Sequence, residues 1–362
     1  MADRAGGRVR AGLALAGAAG LVLAVSLLVT AGALALGGYS PVAAGAALAR
    51  GALGSVDAVL SVTLVRSVPL ILTGLAVALA FRAGVWNIGA EGQLYAGALA
   101  ATWVGLVGAG LPAVVHLPLL VLAAALGGAL WAAVPAFMRL RLGVGEVITT
   151  LLLNFVAVSL ASWAVRGPLQ ESRGVFPQSD AIAVGARLPV LWTGTRLHWG
   201  FVLAVALAGA LAWVLARTAV GFRLRAVGGS PAAARVAGRI AVGPVMVGTF
   251  LASGALAGLA GGVEVAGVTY ALYEGLSPGH GYTAIAVALL AGLHPVGVVA
   301  AGVLFGALEG GAGAMQRSAG VPAAWVGAVE ALVILGVLAL DRGLRGARAA
   351  SSAPLATAEE AA

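Results

Sequence analysis

The stretch Phe81-Arg82-Ala83-Gly84-Val85-Trp86-Asn87-Ile88-Gly89-Ala90-Glu91-Gly92-Gln93 carries the densest group of hydrogen-bonding side chains in an otherwise oily region. Asn87, Glu91 and Gln93 supply donors and acceptors there, and Gly84, Gly89 and Gly92 argue against a continuous helix. A second group, Glu146, Thr149, Thr150 and Asn154, puts Glu146, Thr150 and Asn154 at i, i+4 and i+8, on one helical face. Glu264, Glu309 and Glu330 stand singly in or near apolar runs, whereas Glu274 reads as a loop residue of little consequence. Such groups can hydrogen-bond a passing polar solute or each other. Covalent and metal chemistry finds little support. There is no Lys for a phosphate loop or Schiff base and no Cys for a thiolate. His116, His198, His280 and His294 are the only histidines, and none lies four residues from another, so the zinc pattern HExxH is absent.

The elements that hold these side chains follow from composition. Of 362 residues, 61% are hydrophobic and only 9% are charged, against about 25% charged in soluble domains. With a mean hydropathy of +1.04, such a chain cannot cover a water-facing surface. It reads as an all-α, polytopic membrane bundle, because helices satisfy their own backbone polar groups in lipid. Apolar runs long enough to cross the bilayer fall at Ala11–Leu36 and at about 60–80, 91–109, 117–138, 147–165, 199–216, 244–270, 281–293, 296–315 and 323–340. That predicts about ten spans, the eighth of them short. The first run is longer than a signal-peptide core and is read as a retained span.

Arginine placement orients the bundle. With the N-terminus inside, fourteen Arg fall on inside segments and seven on outside ones. The bias predicts both termini in the cytoplasm. The expected organisation is an N-terminal tail 1–10, a transmembrane domain 11–340 and a C-terminal tail 341–362. A long outside loop spans 166–198 and a basic inside loop spans 217–243.

Within the inside loop, Ser230-Pro231-Ala232-Ala233-Ala234-Arg235-Val236-Ala237-Gly238 has the punctuation of a short helix. Ser230 suits the N-cap, Pro231 the first turn, and Gly238 a left-handed C-terminal residue. Arg223 and Arg225 precede it. The segment is either a basic loop held at an anionic membrane surface or a rigid knob that docks on another protein. Two ladders, Gly254-Gly258-Gly262 and Gly302-Gly306-Gly310, have the spacing that lets membrane helices pack closely.

Five segments in order, FRAGVWNIGAEGQ, GEVITTLLLNFVA, FRLRAVGGSPAAARVAG, SGALAGLAGGVEVAGVT and YTAIAVALLAGLHPVGVVAAGVLFGALEGG, together resemble the permease subunit of a bacterial ABC importer. The resemblance, over about residues 60–340, is to the branched-chain amino acid and simple-sugar permease family in its nucleoside-type branch. It implies a plasma-membrane subunit that is not itself an enzyme and binds no cofactor. It further implies ATP-Mg on a cytoplasmic ATPase, a second related permease and an extracytoplasmic substrate-binding lipoprotein. By the same resemblance, Arg223, Arg225, Ser230, Pro231, Ala234, Arg235 and Gly238 belong to a coupling helix seated on the ATPase. The family usually carries Glu where this chain has Ala232. Asn87, Glu91, Gln93, Glu146, Thr150 and Asn154 become candidates for the translocation path of a small neutral solute, a nucleoside in the first instance. A pentose permease and a stand-alone transporter that couples ions through Glu264 or Glu309 are the alternatives.

Overall fold

A computed structural model describes residues 25, 28–236, 238–322, 324, 325, 327, 328 and 331. The tails 1–10 and 341–362, Glu330, and most of the expected first and tenth spans lie outside the described residues. The chain divides into a compact unit, Leu48–Ala314, and a second one that holds the described residues before and after it.

Among the described residues there is no β-strand, only helices and two isolated bridges. The helices are α1 (Leu28–Leu36), α2 (Pro41–Leu53), α3 (Leu64–Arg82), α4 (Ala90–Val107), α5 (Ala113–Leu142), α6 (Glu146–Arg166), α7 (Gly200–Arg217), α8 (Ala219–Gly229), α9 (Pro231–Val236), α10 (Val242–Glu264), α11 (His280–Leu290) and α12 (Pro295–Ala319). A π-helical turn, Ala58–Thr63, runs into α3, and another, Val265–Thr269, extends α10.

Six of these stretches are long and apolar enough to cross a bilayer, and α1 and α2 form a further pair bent by 117°. The apolar runs expected from 60 to 315 each correspond to a helix. Two of them fall short of a full span. Glu91 and Gln93 lower the apolarity of α4, and α11 has only 11 residues, about 17 Å of helix.

α3 sits at the centre. Most of its side chains are buried by other helices, as befits a helix that is apolar all round. Pro69 stands within it and brings no N–H to the helix ladder, and Thr73 Oγ1 donates back to Pro69 O at 2.6 Å. The glycine ladders set the registers. A Cβ on Gly302 would lie 2.6 Å from Ile71 Cγ1, one on Gly306 2.8 Å from Thr63 O, and one on Gly310 2.7 Å from Val62 Cγ1. α12 therefore runs antiparallel to α3. On α10, Gly254 and Gly258 abut Gly128 on α5, and Gly262 abuts Ala124. α5 and α10 are thus antiparallel at backbone contact, and larger residues would force them apart.

The expected outside loop is a folded cap. Leu188 N donates to Ala266 O at 2.9 Å, Ile182 N to Tyr270 O at 2.8 Å and Ser179 N to Leu272 O at 2.7 Å. The Arg187 guanidinium lies 4.6 Å over the Tyr270 ring, adding a cation–π contact. Glu274 has a larger part than its loop position suggests. It accepts from Ser162 Oγ at 2.8 Å and pairs with Arg166, fastening the end of α6 to the segment after α10.

Candidate functional site

The chain breaks between α3 and α4 over residues 83–89, where the glycine spacing places the break. Its turn depends on Gly84, whose φ of +73° is left-handed, and on the absence of a side chain at Gly228 of α8. A Cβ on Gly228 would collide with Arg82 O and lie 3.1 Å from the Ala83 carbonyl carbon. The basic surface hairpin thus touches the turn that opens the break.

From that turn the chain climbs back beside α3. Asn87 Nδ2 donates to Ser253 Oγ at 2.9 Å, and Ser253 Oγ donates to Ala76 O at 2.8 Å. Asn87 therefore lies near Ala76, about 9 Å back from the end of α3 at 1.5 Å per residue. Its amide is fully used. Nδ2 also donates to Gln93 Oε1 at 3.0 Å, while Oδ1 accepts from Gln93 Nε2 at 3.0 Å and from Gly89 N at 2.9 Å.

α6 completes the lattice. Asn154 Oδ1 accepts from Gly92 N at 2.8 Å, and Asn154 Nδ2 donates to Ile88 O at 2.9 Å. Thr150 Oγ1 accepts from Ile88 N at 3.3 Å and donates to Glu146 O at 2.6 Å. Irregular backbone at membrane depth needs such partners, and here buried side chains provide them. Glu146 shares the helical face but not the lattice. Its carboxylate pairs with Arg139 at 3.1 Å, closing the Gly143 turn between α5 and α6.

Glu91 points elsewhere. Its Oε2 accepts from Gly281 N at 2.7 Å, an amide in the first turn of α11. A carboxylate in the first turn of one helix thus caps the start of another, where the helix dipole favours negative charge. Nearby, Ser277 Oγ accepts from Gly279 N at 3.1 Å and His280 N at 3.0 Å, and Tyr95 Oη accepts from Ser277 N at 3.1 Å. Gly275-Leu276-Ser277-Pro278-Gly279 has the spacing of a hydrolase nucleophile turn. The Ser277 hydroxyl is a turn acceptor and no strand leads into it, so the spacing carries no catalytic role. His280 Nδ1 lies 3.5 Å from Glu309 Oε1 of α12. Among the described residues no three ligand side chains are placed to hold a metal ion. Sequence reading missed His280 and left Glu309 as a lone acid, because the two lie on different helices.

The expected inside loop, 217–243, forms two helices. Thr218 Oγ1 accepts from Gly221 N at 3.1 Å and starts α8, which the sequence reading did not anticipate. Ser230 Oγ accepts from Ala233 N at 3.2 Å at the start of α9, with Pro231 first in that helix. Gly238 is not the left-handed residue. That conformation falls on Arg239, at φ +47°, as Ile240 N reaches back to Ala234 O at 3.1 Å. Ala234 faces inward, packed with Val227, Ile240 and Val242, and so holds the hairpin together. Arg223, Arg225 and Arg235 are exposed, as are Phe222 at 59% and Val236 at 82%.

In the 166–198 cap, burial and the nearby Arg196 push the His198 imidazole down to about 4, so it is neutral near pH 7. The Ser162 hydroxyl and Arg166 hold the Glu274 carboxyl below its usual range.

Residues 59–338 match the family described as branched-chain amino acid transport system / permease component. The chain is 45% identical over 278 residues to the glucose ABC transporter permease protein TsgB13 of Haloferax volcanii, covering 74% of this chain and 72% of that one. It is 41% identical over 274 residues to the guanosine ABC transporter permease protein NupP of Bacillus subtilis, covering 74% and 77%. It is 32% identical over 275 residues to the nucleoside ABC transporter permease protein NupB of Lactococcus lactis, covering 74% and 75%. No solved structure matches. A central helix caged by apolar helices, a broken span tied by buried amides and a match through nearly the whole described bundle converge: this chain is an integral plasma-membrane protein of the branched-chain amino acid transport system permease family.

Proposed function

We propose that this chain is the membrane-spanning permease subunit of an ATP-driven importer that moves a small neutral polyhydroxylated solute, a nucleoside before a sugar, by alternating access. The observation that carries the reading is the contact between Gly228 of α8 and Arg82 at the start of the break. Through it, a basic surface hairpin touches the turn that leads into the buried polar lattice. Motion of α8 therefore reaches Asn87, Glu91 and Gln93 through backbone contact.

In this reading the chain crosses the membrane about ten times with both termini in the cytoplasm, where 1–10 and 341–362 form tails. The 217–243 hairpin faces the cytoplasm and the 166–198 cap faces outward. Arg223, Arg225, Arg235 and Val236 meet a separate ATPase that holds ATP-Mg, while Ser230, Pro231, Ala234 and Gly238 shape the hairpin. A second, related permease completes the pore, and an extracytoplasmic lipoprotein delivers the solute to the cap. Asn87, Gln93, Thr150 and Asn154 act as scaffold of the path, Glu91 faces it, and Glu146 braces the α5–α6 turn.

Two of the three relatives are named for guanosine or nucleosides, and one for glucose. These solutes share neighbouring hydroxyl groups, and a ribonucleoside is the first choice. The test is uptake of labelled guanosine, a free nucleobase, ribose and glucose into vesicles that hold the complete transporter. Guanosine uptake above the other three is expected. Preferred uptake of glucose would move the assignment to a sugar, and uptake of an amino acid alone would overturn it.

The docking face has its own test, in the pair Arg235→Glu and Val236→Asp. Both residues are exposed, so the fold should survive. Reversing charge and apolarity at a hot spot should lower ATP-driven uptake about tenfold or more. Unchanged uptake, with normal amounts of protein in the membrane, would contradict docking through this face.

A further inference from the structure

α4 and α11 begin beside each other deep inside the bundle. α12 is antiparallel to α3, and a short turn joins α11 to α12, so α11 runs parallel to α3. A Cβ on Gly74 of α3 would lie 2.9 Å from Val287 Cγ1. His280, seven residues before Val287, thus sits near the depth of Ser67. That is about 13 Å from the outer end and 22 Å from the inner end of the stretch Ala58–Arg82. The junction is well inside the apolar layer.

Its polar atoms are incompletely used. His280 is 4% exposed, and its Nδ1 has no hydrogen-bond partner. Glu309 Oε2 is likewise buried without a partner. The 3.5 Å between Nδ1 and Oε1 is too long for a good hydrogen bond. Leaving such groups unsatisfied costs about 1–3 kcal/mol each, more for a charged one. Neighbouring amides such as Asn87 and Asn154 are saturated, so the lattice can be completed where a scaffold is all that is needed.

We propose that Glu91, His280 and Glu309 form a binding site for two neighbouring hydroxyl groups of the transported solute. This rests on the importer reading above and deepens it. Vicinal hydroxyls can donate one hydrogen to Glu309 Oε2 and engage His280 Nδ1 as donor or acceptor. Glu91, held by Gly281 N and by the Ser277 side chain, fixes the start of α11 beside them. In the conformation described the acid and the imidazole close on each other; an entering solute parts them and makes the bonds they lack. A site built to bond hydroxyls rejects an analogue without them strongly, by a factor on the order of 10² or more.

The natural absence of Cys permits a direct test. Ser277→Cys introduces the one thiol of this chain at the junction, and its labelling by a membrane-permeant maleimide in the complete transporter is followed on this chain's own band. Guanosine at ten times its dissociation constant should slow labelling about tenfold by mass action. 2′,3′-Dideoxyguanosine should not, and adding Glu309→Gln should abolish the guanosine effect. Protection by glucose in place of guanosine supports the same diol chemistry with a sugar as its source. A second measurement avoids the cysteine. Guanosine should raise the melting temperature of the purified wild-type complex but not that of Glu309→Gln.

Equal protection by guanosine and its dideoxy analogue overturns the inference. So does intact guanosine uptake by Glu309→Gln and His280→Asn variants. Failure of the complete wild-type transporter to take up any hydroxylated solute overturns the importer reading instead.

Discussion

Asn154 commits both ends of its amide to backbone, accepting from Gly92 N and donating to Ile88 O. Asn154→Leu would fill a similar volume yet strand both groups in a buried site. At about 1–3 kcal/mol per unsatisfied group, the loss should be about 2–6 kcal/mol. Thermal melting in detergent checks it. An unchanged melting curve for the leucine variant would contradict the scaffold role. Polar side chains are conspicuous against an apolar background, which is why Asn87, Gln93, Thr150 and Asn154 were legible in the sequence. Their partners were not. Nothing in local spacing announces that Ser253 bonds an asparagine 166 residues earlier, or that His280 meets Glu309. Such pairings are decided by helix packing, which one-dimensional periodicity does not encode.

At the scale of elements, helix positions were largely legible because apolar runs fix them. α8 was hidden by its own composition. Glycines at 221, 228 and 229 lower helix propensity, and tertiary contact overrides that preference. Gly221 lies against Leu215, and Gly228 lies on Arg82. Gly228→Val should therefore push α8 away from the break. Uptake should fall about tenfold or more while ATP hydrolysis continues, a split that marks lost coupling. Simultaneous measurement of hydrolysis and uptake in vesicles decides it, and parallel loss of both would mean only that the hairpin had unfolded. Gly254→Leu should act differently, separating α10 from α5 and lowering the yield of folded protein, since a side chain there meets Ala132 Cβ and Gly128 O.

For the whole molecule, the 166–198 cap makes stability depend on pH. His198 has a folded-state value of about 4 against 6.5 for a free imidazole, so the unfolded chain binds its proton first. Its contribution is complete above pH 6.5 and is lost as the pH falls towards 4. At about 1.4 kcal/mol per unit, the total is on the order of 3 kcal/mol. Glu274 acts in the same direction at lower pH. Its depressed carboxyl stabilises the fold above the unfolded value of 4.5 and stops doing so as acid protonates it. Melting temperatures across pH 4–7 should fall with acid, and His198→Gln should flatten the slope between 6.5 and 4. A slope unaffected by that substitution would contradict the assignment to His198.

The same chain-wide view explains what composition could foresee. Too little charge for water marked a membrane protein, and the absence of Lys leaves this sequence without a phosphate-loop lysine. The way the 166–198 cap is sewn to residues 266–272 by backbone hydrogen bonds was beyond composition, because backbone groups leave no trace in side-chain pattern.

The central claim is that this permease imports its solute by ATP hydrolysis on a partner. The most direct test is guanosine uptake into vesicles that hold the permease pair and binding protein, with and without the ATPase. The account predicts uptake that needs both ATPase and ATP and persists when an ionophore collapses ion gradients. Uptake that survives without the ATPase and disappears with the ionophore would contradict it.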